Sequence, residues 1–403
     1  MNTDYTKGTM GVKMGIINSL LNNDLYKFTM QMVVLHHFSS AEVKYKFICR
    51  NKDVDLRPYI SEIKKEIKHL CSLRFSEEEL DVLRTFSFLK KDYIDFLEYF
   101  SLKEGSISVF EEDGKMALEI KGSWLSTILL EVPLLSIISE VYMRDKIFKP
   151  FVFSEGIKLA EEKIKMIKKS RVPLKIADFG TRRRFSSDWH ENIVAYYVRE
   201  LGRDTFFGTS NILLSKKLGL TCVGTMAHEY LSAGMGLNKV QLVDSQKYML
   251  ETWAKEYRGD LGIALTDTIG MNAFLKDFDK YFAKLYDGCR HDSADPYQWG
   301  ETLIAHYKSL GIDPMTKTAV FSDGLNPEKA LALAERFHGR INTSYGIGTN
   351  ITNDVGVKPL SIVIKLVQVN GNPVAKISDE PEKAICEDPQ FLSYLKHVFK
   401  ING

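Results

Sequence analysis

The sequence predicts an α/β barrel joined to a second α/β domain, and three observations carry that prediction. From about residue 150, short apolar runs end in polar or glycine motifs and alternate with helical segments. The first third is rich in helical patterning around a single hairpin signal. The tail holds a second hairpin signal, Asn370-Gly371-Asn372 between apolar runs at 362–369 and 374–377. The expected partition is an N-terminal α/β domain over 1–148, a catalytic barrel over 149–358, and a C-terminal hairpin and helix over 359–403 that returns to the first domain.

Each element has a local reason. Asn22-Asn23-Asp24 offers a cap to a helix over 24–38, amphipathic through Leu25, Phe28, Met32 and Leu35. Ser76-Glu77-Glu78-Glu79 before Leu80 and Leu83 reads as a capping box. Segments 106–110 and 116–120, split by Glu112-Asp113-Gly114, form a hairpin, and 129–144 forms a long apolar helix. Beyond it, 174–177 reads as a buried strand that breaks at Asp178-Phe179-Gly180 and gives way to a helix over 188–199.

The barrel is favoured over an open doubly wound sheet because loaded motifs recur at nearly every strand end. They are Asp178-Phe179-Gly180, Gly208-Thr209-Ser210-Asn211, Val223-Gly224-Thr225, Thr266-Asp267-Thr268, Arg290-His291-Asp292-Ser293, Ser322-Asp323-Gly324 and Gly346-Ile347-Gly348-Thr349.

Composition narrows the class. The chain has 403 residues and a net charge of +2, which argues against a general nucleic-acid binder. Cys49, Cys71, Cys222, Cys289 and Cys386 show no paired spacing, as expected of reduced thiols in a cytoplasmic protein. Neither a signal peptide nor a membrane span is expected.

The chemistry sits in the strand-end motifs. Arg182, Arg183 and Arg184 follow the first of them, and guanidinium groups bind carboxylate and phosphate bidentately. Gly346, Gly348 and Thr349, with Ser322 and Gly324 on the preceding strand end, are placed to offer amides and hydroxyls to a phosphate. Arg290 and Asp292 are two residues apart and share a face: the Arg suits phosphate or carboxylate, the Asp ribose hydroxyls or Mg²⁺. His228 lies in a loaded strand-end loop, His291 reads as a packing residue, and His190 as capping or core.

In this order the motifs resemble those of nicotinate phosphoribosyltransferases. The resemblance runs from Ser19-Leu20-Leu21-Asn22-Asn23-Asp24-Leu25-Tyr26-Lys27 to the final hairpin; Met14, ahead of it, is an alternative start. Gly208-Thr209-Ser210-Asn211, Gly224-Thr225-Met226-Ala227-His228-Glu229 and Arg290-His291-Asp292-Ser293-Ala294-Asp295 carry most of it.

The resemblance implies an irregular α/β barrel of the type II phosphoribosyltransferase kind and conversion of nicotinate and phosphoribosyl pyrophosphate to nicotinate mononucleotide and pyrophosphate. It implies ATP as co-substrate, Mg²⁺, a phosphorylated His228, and a homodimer with shared sites in which Tyr26 stacks on the partner's ligand. Phe179 and Arg182 match the nicotinate and ribose pocket, Arg290 a substrate-binding arginine, Asp292 the acidic residue at ribose and Mg²⁺, and Gly324, Gly346 and Gly348 the 5′-phosphate turn. Where nicotinamide-using relatives carry Asp, this chain has Ser210, which removes a repulsion toward nicotinate and offers a hydrogen-bond donor. Nicotinamide and quinolinate remain the alternative substrates.

Overall fold

The computed structural model describes residues 15–147, 152–380 and 384–401; Met14 lies outside them. Two sheets organise the chain. The first strands are β1 (Glu42–Cys49) and the hairpin β2 (Ile107–Glu112) and β3 (Lys115–Ser123). The turn Asp113-Gly114 has φ of 50° and 69°, the left-handed pair that a two-residue hairpin needs. The chain then alternates strands with helices through β4 (Ile176–Asp178), β5 (Phe206–Thr209), β6 (Thr221–Cys222), β7 (Arg258–Leu261), β8 (Ile263–Leu265), β9 (Gly288–His291), β10 (Thr318–Phe321) and β11 (Asn342–Ile347). It ends with β12 (Ile362–Val369), β13 (Asn372–Pro373) and the helix Pro389–Val398.

Six of the eight middle strands join β6 in a parallel sheet ordered β6-β5-β4-β11-β10-β9-β8, curled into a half-barrel. Its edges, β6 and β8, are not hydrogen-bonded to each other as strands. The Thr225 hydroxyl spans the gap, donating to the Ile263 carbonyl at 2.8 Å. This is the irregular barrel that the resemblance implied. The second sheet is antiparallel, ordered β13-β12-β1-β3-β2, so the tail is stitched onto the N-terminal strands through pairs from Val43↔Val369 to Cys49↔Ile362. The tail hairpin is shorter than expected: β13 stops at Pro373, beyond which the Val374 amide still donates to the Val367 carbonyl at 3.1 Å.

Local expectations meet the structure in instructive ways. Ser76 and Glu79 form the expected capping box, with both reciprocal bonds made. The helix Leu25–His37 departs from its amphipathic reading: every residue from Leu25 to Val34 is buried. It packs against Trp124–Thr127, Ile128–Leu130 and Ser245–Tyr257, which leaves no wet face along that stretch. Its polar residues are satisfied internally instead. Thr29 donates to the Thr225 carbonyl at 2.8 Å, Gln31 to the Leu125 carbonyl at 2.9 Å, and Lys27 pairs with Glu131 and Glu229. Asp24 precedes this helix without making a side-chain cap bond.

The segment Trp124–Asp145 is long and apolar enough to cross a membrane, contrary to the expectation of no such run. Its most apolar window is 83% buried inside the fold, so the apolarity serves the core. The five cysteines are all free.

Strand packing is tight where β9 meets β10. A Cβ added at Gly288 would lie 1.9 Å from the Thr318 carbonyl oxygen, a backbone atom that cannot swing aside. Gly288→Ala is therefore expected to lose at least about 2 kcal/mol of stability, measured by denaturant unfolding. A loss within experimental error would mean that β9 and β10 are spaced more widely.

Candidate active site

Parallel strands in register bring their C-terminal ends to one rim. Asp178 pairs with Ile347 on one side and Thr209 on the other, and Phe321 with both His291 and Tyr345. Asp178 organises the rim from beneath. Its buried carboxylate accepts from the Gly180 amide at 2.8 Å and from Thr209 Oγ1 and His190 Nε2 at 2.7 Å each. Burial opposes its ionisation, but His190 and these hydrogen bonds win and hold it below the usual carboxylate range. His190 thus has the core role expected of it.

Above the rim lies a cavity lined by residues from both sheets. Of the residues expected at a site, Tyr26, Phe179, Arg182, His228, Arg290, Asp292, Ser322, Gly324, Gly348 and Thr349 all face it. Arg183 lines it as well, whereas Arg184 turns away and donates to Asn22 Oδ1 at 2.7 Å, fully buried. Of the three consecutive arginines, the first two face the cavity. Gly324 has φ of 55°, the left-handed conformation that a side chain would strain. Ser322 Oγ donates to the His291 carbonyl at 2.9 Å and lies 3.1 Å from Asp292 Oδ1, which ties the two neighbouring strand ends together. His291 packs on Trp299 and Phe321, as a packing residue should.

One expectation is refined and two need correction. Tyr26 lines the cavity of its own chain, with the Arg182 guanidinium 6.0 Å from its ring centroid. The cause is that 21–25 docks along the rim: the Leu25 amide donates to the Ser210 carbonyl at 2.8 Å and the Ile212 amide to the Asn23 carbonyl at 3.1 Å. Second, the single hydroxyl proton of Ser210 goes to Asp24 Oδ1 at 2.8 Å, and Ser210 stands outside the cavity lining. It is not a free donor to a ligand. Third, Gly346 does not join the phosphate turn. A Cβ there would come within 2.2 Å of the Phe179 ring, so this glycine makes room for the aromatic.

His228 is buried, and its Nε2 lies 2.7 Å from Asp267 Oδ1. The carboxylate fixes the proton on Nε2 and leaves the Nδ1 lone pair on the side of Asp292, whose Oδ2 is 3.7 Å away. Burial holds the imidazole below its ordinary pKa despite the attraction of Asp267, so the neutral, nucleophilic form prevails near pH 7. Asp267 is fully occupied, since its other oxygen accepts from Ser293 at 2.6 Å and pairs with Lys376 at 2.9 Å.

His228, Asp267 and Asp292 offer atoms within 4.8 Å of one another, a spacing compatible with a metal ion. The commitments of Asp267 make it an orienter of the imidazole, however, and leave Asp292 as the oxygen donor of the group. One carboxylate completed by oxygens of a bound polyphosphate is an arrangement that suits Mg²⁺.

The sequence reading missed several residues that face the cavity or support it. Lys365 and Lys376 come from the tail; the signal was a lysine within an apolar strand, as in Ile362-Val363-Ile364-Lys365-Leu366-Val367. Burial pushes Lys365 down to about 8. Burial and the neighbouring Arg182 and Arg50 charges push Arg183 down to about 10. Crowded cations in a part-buried cavity are relieved by negative charge. Glu131 and Glu229 also line it, with Lys27 behind them. Behind Phe179 and Arg290 a second, apolar cavity of 310 Å³ enters the barrel between Ala177, Val223, Ile263 and Val320.

Comparison with known proteins agrees with this geometry. The profile of the nicotinate phosphoribosyltransferase (NAPRTase) family matches residues 174–403, and that of its N-terminal domain residues 21–139. The nicotinate phosphoribosyltransferase of Ralstonia pickettii is 52% identical over 390 residues, 96% of this chain and 100% of that protein. That of Burkholderia mallei is 53% identical over 391 residues, 96% of this chain and 97% of that protein. Among solved structures, the Vibrio cholerae nicotinate phosphoribosyltransferase superposes with a TM-score of 0.92 at 39% identity, covering 97% of this chain and 95% of that one. The Porphyromonas gingivalis enzyme gives 0.90 at 32%, covering 96% and 100%. With matches over both domains and nearly the full length of these relatives, the chain belongs to the nicotinate phosphoribosyltransferase family.

Proposed function

We propose that this chain joins nicotinate to phosphoribosyl pyrophosphate, giving nicotinate mononucleotide and pyrophosphate in NAD salvage, and couples the reaction to ATP hydrolysis through His228. The observation that carries the reading is the convergence on one cavity of Tyr26 and Phe179, Arg290 and Asp292, the Gly324, Gly348 and Thr349 turns, and a histidine oriented by Asp267.

In the glycosyl step the pyridine nitrogen bonds to C1 of the ribose as the C1–O bond to pyrophosphate breaks. No proton transfer at the ring is required, so the protein's task is positioning and charge stabilisation. Phe179 and Tyr26 hold the ring, Arg290 meets the carboxylate, and Gly324, Gly348 and Thr349 receive the 5′-phosphate. Arg182, Arg183, Lys365 and Lys376 neutralise the departing pyrophosphate. Mg²⁺ held by Asp292 would add charge stabilisation for that leaving group.

In the energetic step His228 Nδ1 bonds to the γ-phosphorus of ATP as the bond to ADP breaks, Asp267 balances the charge that develops on the ring, and water then takes the phosphoryl group from Nδ1 as phosphate. The five free thiols fit a reducing, cytoplasmic setting. A homodimer stays part of this reading, and Tyr26 lines the cavity of its own chain.

Assay with phosphoribosyl pyrophosphate and Mg²⁺, offering nicotinate, nicotinamide or quinolinate with and without ATP, tests the reaction. Mononucleotide from nicotinate, increased by ATP, is expected; preference for another pyridine contradicts it. His228→Ala is expected to abolish ADP formation while retaining some glycosyl transfer, and unchanged ADP formation would remove His228 from the energetic step.

The placement of Tyr26 makes a second prediction. Mixing a Tyr26→Ala variant with an uncoupled His228→Ala variant should restore no ATP-coupled activity, whereas recovery would show that Tyr26 acts on the partner's site. A third concerns pH. The Lys365 charge is present below about 8 and lost above it. Pyrophosphate affinity, followed by titration calorimetry, should fall as pH rises through that value, and Lys365→Met should flatten the step.

A further inference from the structure

Lys27 is fully buried in the helix that also carries Tyr26, and no part of the proposed chemistry uses it. Its ammonium pairs with Glu131 Oε2 at 2.6 Å and with Glu229. Glu229 follows His228 directly, and its second oxygen accepts from Tyr45 at 2.6 Å and from Trp124 Nε1 at 2.7 Å. The second oxygen of Glu131 lies 3.5 Å from Arg182 Nη1. The result is an alternating chain, Glu229–Lys27–Glu131–Arg182, that runs from the histidine to the arginine turn. Both carboxylates line the cavity, and Lys27 is the one member that does not.

That arrangement has a specific electrostatic consequence. A buried ion pair is poor value for stability alone, since well-packed apolar residues often do as well. Two carboxylates in the wall of a polyanion site would repel its ligand unless a cation cancels them from behind. The attraction of Lys27, Arg182 and Lys365 also holds Glu131 below the ordinary carboxylate range, so it stays charged.

We infer that Lys27 is a positioning residue for anion binding. It cancels the charge of Glu131 and Glu229 from outside the cavity, so that these carboxylates can hold Arg182 and the His228 turn without repelling pyrophosphate. This rests on the reading of the cavity as a phosphoribosyl pyrophosphate site.

Titration calorimetry of the full chain with inorganic pyrophosphate and Mg²⁺ tests it. Lys27→Met should bind about tenfold more weakly than the native protein, and the double variant Lys27→Met/Glu131→Gln should recover most of that loss. A purely structural lysine would change unfolding stability and leave the pyrophosphate affinity of the folded protein as it is, so denaturant unfolding of each variant is read beside the titration. Native-like binding by Lys27→Met, or a double variant as weak as the single one, overturns the inference. Should Lys27→Met not fold, Glu131→Gln alone decides: about threefold tighter binding is expected at low salt, and unchanged binding overturns the inference. Absence of pyrophosphate binding by the native protein would instead bring down the cavity's assignment, and this inference with it.

Discussion

The whole site depends on one docking contact, the seating of 21–25 against the rim of the parallel sheet. Arg184 and Asn211 both donate to Asn22 Oδ1, at 2.7 and 2.9 Å. Asp24 takes the Ser210 hydroxyl, and backbone bonds on both sides of it lock the segment in register. Burying Arg184 and Asp24 is costly in itself, and burial pushes the guanidinium down and the carboxyl up from their ordinary values. The contact holds because it closes one core across both sheets. Its product is geometric: the next two residues are Tyr26, in the cavity, and Lys27, behind it.

From that seating the electrostatics follow. Guanidinium and ammonium groups arrive at the cavity from three directions: the arginine turn after β4, Arg290 at the end of β9, and lysines from the returning tail. The tail reaches the site only because β12 pairs with β1. Cationic side chains from two sheets therefore meet at one cavity. The carboxylates in the same wall are not a contradiction. Asp292 suits a hard cation, Asp267 orients a histidine, and Glu131 and Glu229 are balanced by Lys27.

Much of this was legible in the residues, for physical reasons. Strand-end motifs are conspicuous because apolar runs of four to six residues have no other reason to end in Arg-His-Asp or Gly-x-Gly. The capping box and both hairpin turns were visible because their side-chain and φ requirements are local. Residues whose roles depend on distant partners were harder. Asp267 stood in a noted motif, but its pairing with His228 spans 39 positions. Lys365 and Lys376 are recruited by strand pairing across more than 300 residues. Ser210 was assigned a ligand because Asp24, which takes its proton, lies 186 positions earlier. The helix Leu25–His37 misled for a related reason: its polar residues mimic a wet face, yet each is satisfied by a segment far away in sequence.

The central claim is that one rim joins phosphoryl capture at His228 to glycosyl transfer beside it. Phosphorus NMR of the native protein incubated with ATP and Mg²⁺ addresses it most directly. The account predicts a phosphohistidine resonance of the Nδ1 type, absent from His228→Ala, that disappears when nicotinate and phosphoribosyl pyrophosphate are added together. A protein that turns over nicotinate with ATP but never shows this resonance, even after rapid quenching, would contradict it.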